Sequence, residues 1–495
     1  MAMRAPDPKI TKIPLNIVGS SIFGRYPKIS TEKTTNMIIS DGFLVPYAGY
    51  KLAVSIQEDT VARGLFSSYR WGKMIAVIGS TVYAISNGLT YDIIGNIATT
   101  SGDVFITENT NYQIAICDKF NIYIYNWSTL AFTTATIPEG FQPGYIEYQD
   151  ARFISPDIST AANMAQWELS ATNDGTMWPG TSAYVGLLQT KGDYAIATVR
   201  FPGRGNTLLV FGNIVTELWY DVGATLFPYQ RSTSVNLDYG CANAATIAAL
   251  ENIVVWLGIN EKSGPTIMYS NGGDITKIST DGIDFLLANL TNPTNSYGFL
   301  FRQDGHLLYQ ITFPDPNDNI SLVYDFNTSK FFNLTNEDGN CHIAKRVVFF
   351  EDQYYFISFV DGNIYQMSSL LTTYDYGNGE VYDIPRGRIC KNIRAEDQAP
   401  FSINYISFTT EQGTDLDANV GTDTTYFPMI YLSGSYDGGY TFSSQNGKAM
   451  FDYGHYRNRL IWHRLGRAND FVPQFQFWSS WRFVVTDGLV EIAQQ

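Results

Sequence analysis

Between Arg63 and Met367 one pattern recurs at a spacing of roughly forty to fifty residues: an apolar strand, a turn, a second apolar strand, then a shorter strand carrying aromatic residues. The first copy runs through Gly64-Leu65-Phe66, Met74-Ile75-Ala76-Val77-Ile78 and Thr81-Val82-Tyr83-Ala84-Ile85. The clearest copies are the fourth, with Thr207-Leu208-Leu209-Val210-Phe211 and Glu217-Leu218-Trp219-Tyr220, and the fifth, with Ile253-Val254-Val255-Trp256 and Thr266-Ile267-Met268-Tyr269. The third is centred on Tyr145 to Ser155 with Trp167-Glu168-Leu169 and carries an insertion. A sheet built from such a unit has two apolar faces and cannot bury both alone. Radial packing against neighbours buries both, so the repeats predict an all-β fold with a β-propeller of seven blades, six being the alternative count. Stacked sandwiches are the other arrangement open to these sheets.

The pattern changes after Met367, through the polar stretch Thr372-Thr373-Tyr374-Asp375-Tyr376-Gly377-Asn378-Gly379. Beyond it, Phe401 to Thr409, Met429 to Ser433, Arg459 to Leu465 and Trp481 to Thr486 alternate apolar and polar residues without a helical period. Three regions are therefore expected: residues 1–60, an extended segment that closes or braces the propeller; 61–370, the propeller; and 371–495, a β-sandwich-like domain. Helix is scarce, and Ile283 to Leu290 is the best short candidate.

Charge narrows the function classes. With 32 basic and 47 acidic residues the formal net charge is −15, the wrong sign for a protein that grips nucleic acid by its phosphates. An acidic channel lets DNA slide instead. Cys117, Cys241, Cys341 and Cys390 lie far apart and read as reduced core thiols, not as a disulfide framework or a zinc site. Met1 to Pro14 lacks the apolar stretch of a signal peptide, and no later run reaches transmembrane length. The expectation is a soluble protein made in a cytosol, with no membrane anchoring.

Little points to chemistry. The histidines are His306, His342, His455 and His463, and HExxH, CxxC, GxSxG and Walker-type patterns are missing. His306, after Gln303-Asp304-Gly305, reads as a turn-packing or surface residue. Ser435-Tyr436-Asp437-Gly438-Gly439-Tyr440-Thr441-Phe442 fits an Asp-box, in which a carboxylate accepts hydrogen bonds from the amides of its own hairpin turn. Ser435, Asp437, Gly439 and Thr441 are its key positions, and Thr172-Asn173-Asp174-Gly175-Thr176-Met177-Trp178 is a looser relative. Such boxes occur in sialidases, which raises a glycan-binding or glycan-hydrolysing propeller as the alternative function. The box is nevertheless a folding device, and no carboxylate pair can be nominated by spacing. Asp415, Asp417, Asn419 and Asp423 alternate like a calcium loop, but they lack the glycine and the terminal glutamate of one and read as a solvated loop. No catalytic residue, cofactor or metal ligand is nominated.

The densest basic cluster is Arg457, Arg459, His463, Arg464 and Arg467, around Trp462 and Gly466. Strand alternation places Arg459, His463 and Arg467 on one face and Trp462 and Arg464 on the other. The cluster reads as a solvated strand face or, more sharply, as a contact for an acidic partner subunit or the DNA end through guanidinium forks.

Leu460-Ile461-Trp462-His463-Arg464-Leu465-Gly466-Arg467, following Asp437-Gly438-Gly439, resembles the C-terminal signature of the packaged-DNA stabilisation proteins of short-tailed bacteriophages, also called tail accessory, hub or nozzle proteins. Gly24-Arg25-Tyr26, Glu32, Asn36, Pro46, Gly49-Tyr50 and Arg63-Gly64-Leu65 resemble that family's opening segment. Between them Asn173 to Trp178, Glu217 to Gly223, Tyr239 to Ala242, Val255 to Gly258 and Gln303 to His306 fall in the family's order. His463 departs from it, since many relatives carry arginine there. The resemblance implies a virion tail protein assembled in the host bacterial cytoplasm, without catalytic residues. It further implies a homohexameric ring below the portal and its tail adaptor that extends the DNA conduit and helps retain the packaged genome. Its partners would be copies of itself, the adaptor, a distal plug or needle or tail fibre or spike proteins, and passing genomic DNA. The segment from Trp462 to Arg467 is then expected to support the sandwich or a contact between subunits.

Overall fold

The computed structural model describes residues 9–25, 32–56, 62–159, 164–224, 227–272, 274–412, 428–450 and 457–494. The strand Lys73–Ile78 shows why the repeats become blades. All of its residues after Lys73 are buried, yet neighbouring side chains leave a strand on opposite faces. Ile75 and Val77 pack with Ile114, Ile116 and Tyr123 of the next repeat, while Met74, Ala76 and Ile78 pack with Ile357 and Ile364 of the last. A sheet buried on both faces needs a neighbour on each side, and repetition of that requirement closes a ring.

Six blades are meanders of consecutive strands, within residues 62–96, 105–134, 147–187, 195–237, 240–277 and 297–334. The last blade takes Ala344–Phe350, Gln353–Ser358 and Ile364–Ser368 and is completed by Gly49–Val54, antiparallel, with Met367 opposite Tyr50. That makes seven sheets, and apolar cores separate each from the next around the ring. The first strands of successive blades touch one another, which places them nearest the axis.

Aromatic packing fixes the closing strand. Tyr50 stacks on Tyr374 at 4.3 Å and meets His342, Phe356, Tyr365 and Tyr376 edge-on. Its hydroxyl lies 2.7 Å from that of Tyr376, which donates to Glu337. The hairpin Thr373–Asp375 and Val381–Asp383 extends this sheet beyond Gly49–Val54.

The remaining strands form two sheets packed face to face. In one, Phe401–Gln412 is flanked by Gly488–Gln494 and Phe483–Val485 on one side and by Arg457–His463 and Arg467–Ala468 on the other. Lys9–Leu15 adds to Gly488–Gln494, and the hairpin Met37–Ser40 and Phe43–Pro46 joins through Leu44 opposite Val485. The second sheet grows out of the sixth blade: Lys330–Leu334 passes to Lys33–Thr35, then Arg386–Ile389, Val472–Trp478, Met429–Ser435 and Asn446–Ala449. Between the sheets lies a core that includes Phe401, Phe408, Leu432, Trp462, Phe475 and Phe477. The N-terminal residues thus serve both regions.

At the seam sits Arg388, fully buried. Its guanidinium pairs with the buried carboxylate of Glu32 and donates to the carbonyls of Asn16, Ile17 and Ser20. A Cβ on Gly19 would stand 2.0 Å from that guanidinium, so a side chain there would push Arg388 out of its carbonyl bonds. The α-helix among the described residues is Asp281–Ala288, beginning before Ile283 because Thr280 caps it and Asp281 and Asp284 favour its first turn.

Candidate functional site

The basic segment is carried by the edge strand Arg457–His463. Leu460 and Trp462 point into the sandwich, and Arg457, Arg459 and His463 point to solvent. Trp462 is 1% exposed; it stacks on Phe408 at 5.5 Å, touches Phe475 across the core, and donates its indole N–H to the carbonyl of Asn446 at 3.0 Å. Alternation placed Arg464 on the same inward face as Trp462, and the structure corrects this. Arg464 adopts φ 57° and is exposed. Three residues, 464–466, stand opposite two, 403–404, before pairing resumes at Arg467 with Ser402. This is a β-bulge, and it turns the guanidinium of Arg464 out to the side of Arg467. Gly466 supplies the second left-handed residue, at φ 89°.

Arg457 pairs with Glu411 at 3.0 Å and Arg459 donates to the Ser407 hydroxyl at 3.3 Å. Arg464 and Arg467 make no ion pair among the described residues. With His463, Ser402 and Asn404 they border an open recess. In a chain of net charge −15, this edge presents cationic groups that no carboxylate of the described chain neutralises.

The Asp-box turn lies against the same bulge. Ser435 is buried, and its hydroxyl donates to Asp437 Oδ1 at 2.7 Å while accepting from the Gly439 amide at 2.8 Å. Asp437 accepts from the amides of Tyr440 and Thr441 and, at 2.6 Å, from the Thr441 hydroxyl. These donors, the Thr441 hydroxyl above all, hold the Asp437 carboxyl far below the usual carboxylate range. Tyr436 then reaches over the bulge, donating to the Leu465 carbonyl and packing edge-on against Phe471 at 5.2 Å. Asp174 repeats the design in the third blade, accepting from the Thr176 amide and hydroxyl at 2.9 and 2.6 Å. Both carboxylates are engaged in turns.

His306 lies in a buried turn network, 2.9 Å from Asp325 and 3.0 Å from the Ser40 hydroxyl. The four cysteines are free and buried, and burial pushes the thiols of Cys117, Cys241 and Cys390 up to about 12. Asp415, Asp417, Asn419 and Asp423, and also Tyr26 and His455, lie outside the described residues. Sequence reasoning missed the buried pairing of Arg388 with Glu32 and the buried role of Arg63, whose guanidinium donates to the carbonyls of Gly79, Thr99 and Gly102. An arginine is buried only where the fold brings carbonyls and carboxylates around its guanidinium, and those partners lie far along the chain from Arg388.

Fold and site together describe a structural β-propeller whose polar constellations secure turns and seams. Its family follows from comparison: the chain belongs to the phage stabilisation family, described as Bacteriophage P22 Gp10, β-propeller, whose model matches residues 23–371. Membership makes it a phage structural protein. No curated protein sequence matches it. Among solved structures it is similar to a streptogramin B lyase, with 12% identity and a TM-score of 0.43 over 65% of this chain and 97% of that one. It is also similar to a catalytically inactive virginiamycin B lyase from Staphylococcus aureus with Quinupristin, with 12% identity and a TM-score of 0.44 over 65% and 98%. A third likeness is the WD40 propeller domain of Doa1, with 11% identity and a TM-score of 0.41 over 65% and 97%. Likenesses at this level carry no argument about activity.

Proposed function

We propose that copies of this chain close into a homohexameric ring in a short phage tail, below the portal and its adaptor, extending the DNA conduit and helping to retain the packaged genome until ejection. The observation that carries this reading is the family match over residues 23–371, which spans the whole propeller. A ring requires a heterologous interface repeated until rotation closes it. The unneutralised edge at Arg464 and Arg467 suits one side of such an interface, or the adaptor or distal plug, where bidentate contacts to carboxylates select a partner. The net charge of −15 suits a lumen that does not hold passing DNA. No catalytic role is assigned, because the enzyme-like Asp437 motif has both carboxylate oxygens engaged by its own turn. Virions assembled without the protein are expected to lose DNA after packaging, and purified protein mixed with adaptor to give rings of six copies by negative-stain imaging and mass measurement. Full genome retention without the protein defeats the retention role. Release of sugar from host polysaccharide by the purified chain would instead revive the glycan reading.

A further inference from the structure

The third blade buries two carboxylates with no cation beside them. Asp157 follows the strand Arg152–Pro156, and Glu168 lies in Gln166–Leu169, opposite Ser155. The Asp157 amide donates to the Gln166 carbonyl at 2.9 Å, which continues that register. Residues 155, 157 and 168 therefore share one face of the sheet, and Asp157 and Glu168 are diagonal neighbours on it. Ile154, Trp167 and Leu169 occupy the other face, packed on the fourth blade. The carboxylates are turned instead toward the second blade, the side on which Phe153 meets Ile124 and Trp178.

Asp157 is 1% exposed and Glu168 4%, and neither appears in an ion pair among the described residues. Asp157 Oδ1 accepts from the amides of Gln142 and Ser159, at 3.1 and 2.9 Å. The other oxygen, Asp157 Oδ2, is buried without a hydrogen-bond partner, as are Glu168 Oε2 and the Ser159 hydroxyl. Buried polar atoms are almost always satisfied, and buried charges are paired or bind metal. Three orphaned oxygens, two of them from carboxyl groups, at one strand end, just beyond it and on the neighbouring strand therefore point to a shared ligand. Burial, and then the charge of Asp157, push the Glu168 carboxyl up to about 7. The pair lacks a positive neighbour.

We propose that Asp157, Glu168 and Ser159 form a site for a hard divalent cation, and specifically calcium. The donors are all oxygen, which excludes a preference for soft metals. They come from a strand, a strand end and the segment just after it, an irregular set that calcium accepts by drawing its other ligands from carbonyls and water, whereas magnesium demands a near-octahedral arrangement. Groups of three or more His, Cys, Asp or Glu are not found among the described residues, so this site rests on two carboxylates and a hydroxyl. Bound there, calcium would fasten the connection after Asp157 to the loop before the blade, which Gln142 and Gly144 already join by backbone bonds to Ile158 and Pro156.

The test uses the full chain freed of metal with EGTA, together with Glu168→Gln and Asp157→Asn, their folding checked by circular dichroism. Terbium serves as the luminescent probe, since Trp167 adjoins Glu168 and can sensitise its emission. The wild type is expected to show sensitised emission that calcium displaces and a thermal midpoint that calcium raises. Each variant is expected to weaken binding by about tenfold or more. Glu168→Gln conserves shape while removing a buried charge, so it remains informative if Asp157→Asn loses its turn. Equal binding in the wild type and Glu168→Gln overturns the site. So does the absence of a calcium-dependent rise in the wild type, and a Glu168→Gln chain that is then more stable without calcium assigns a proton to the pair.

Discussion

The propeller and the sandwich both bury aromatic side chains between β-sheets, but their strands meet across very different stretches of chain. Six blades pair each strand with the next one or two in sequence. In the sandwich, Lys9–Leu15 lies against Gly488–Gln494, with Ile13 opposite Val490, and Arg386–Ile389 joins Lys33–Thr35 to Val472–Trp478. The last blade belongs to both styles, since Gly49–Val54 crosses from the N-terminal segment to complete it. Local pairs form at low loop-closure cost, whereas long-range pairs form late and depend on the contacts that hold the ends together. The difference teaches that stability at the seam controls the sandwich first and the propeller second.

The sharpest way to break this comparison is Arg388→Ala. It leaves Glu32 buried without its partner and should cost about 3–5 kcal/mol. Denaturant unfolding is expected to lose the sandwich before the propeller, and simultaneous loss of both would show that the two regions act as one unit. Next comes acid. His342 is fully buried in the closing aromatic cluster, and burial pushes its pKa down to about 3 from an ordinary 6.5. Because the unfolded chain takes up the proton first, the His342 contribution to stability is complete above pH 6.5 and is lost progressively as pH drops toward 3. The slope is about 1.4 kcal/mol per pH unit, or about 2 kcal/mol by pH 5. In His342→Gln the pH dependence of unfolding should flatten, and an unchanged profile would assign the acid sensitivity elsewhere.

Within the sandwich, Trp462→Phe removes the bond to Asn446 and opens a small cavity, for about 1–3 kcal/mol measured by thermal unfolding. Ser435→Ala removes the buried hydroxyl that ties the Asp437 turn, for about 1 kcal/mol. The smallest stability effect is expected of Arg457→Ala, whose exposed pair with Glu411 is worth at most about 1 kcal/mol and weakens further in salt. Replacing Arg464 and Arg467 should likewise spare stability. Loss of ring or adaptor binding in those variants would separate a docking role from a structural one.

The propeller was legible because a strand buried on both faces writes itself as a continuous apolar run, as in Met74 to Ile78. The sandwich was legible only in part. Val472–Trp478, whose buried Phe475 and Phe477 help form the core, was not anticipated, and neither was Gly488–Gln494. Pro473 interrupts the apolar pattern of the first, and Glu491 and Gln494 dilute that of the second. The Asp437 turn was readable from its spacing alone because its hydrogen bonds stay within seven residues, 435–441. Arg464 was misplaced because alternation fails at a bulge, and a bulge is set by the partner strand.

The sequence by itself determined the all-β class, the repeating blade, the local hydrogen bonding of the Asp437 turn and, through dispersed motifs, the family. Those features depend on contacts within one repeat or one turn, where residue order and side-chain chemistry suffice. Only the tertiary structure decided which strand closes the ring, which arginines are buried, where Arg464 points and which carboxylates share one face of the third blade. Each of these depends on residues far apart in the chain meeting at a fixed distance, and desolvation then gives a charge at that point its partner or its cost.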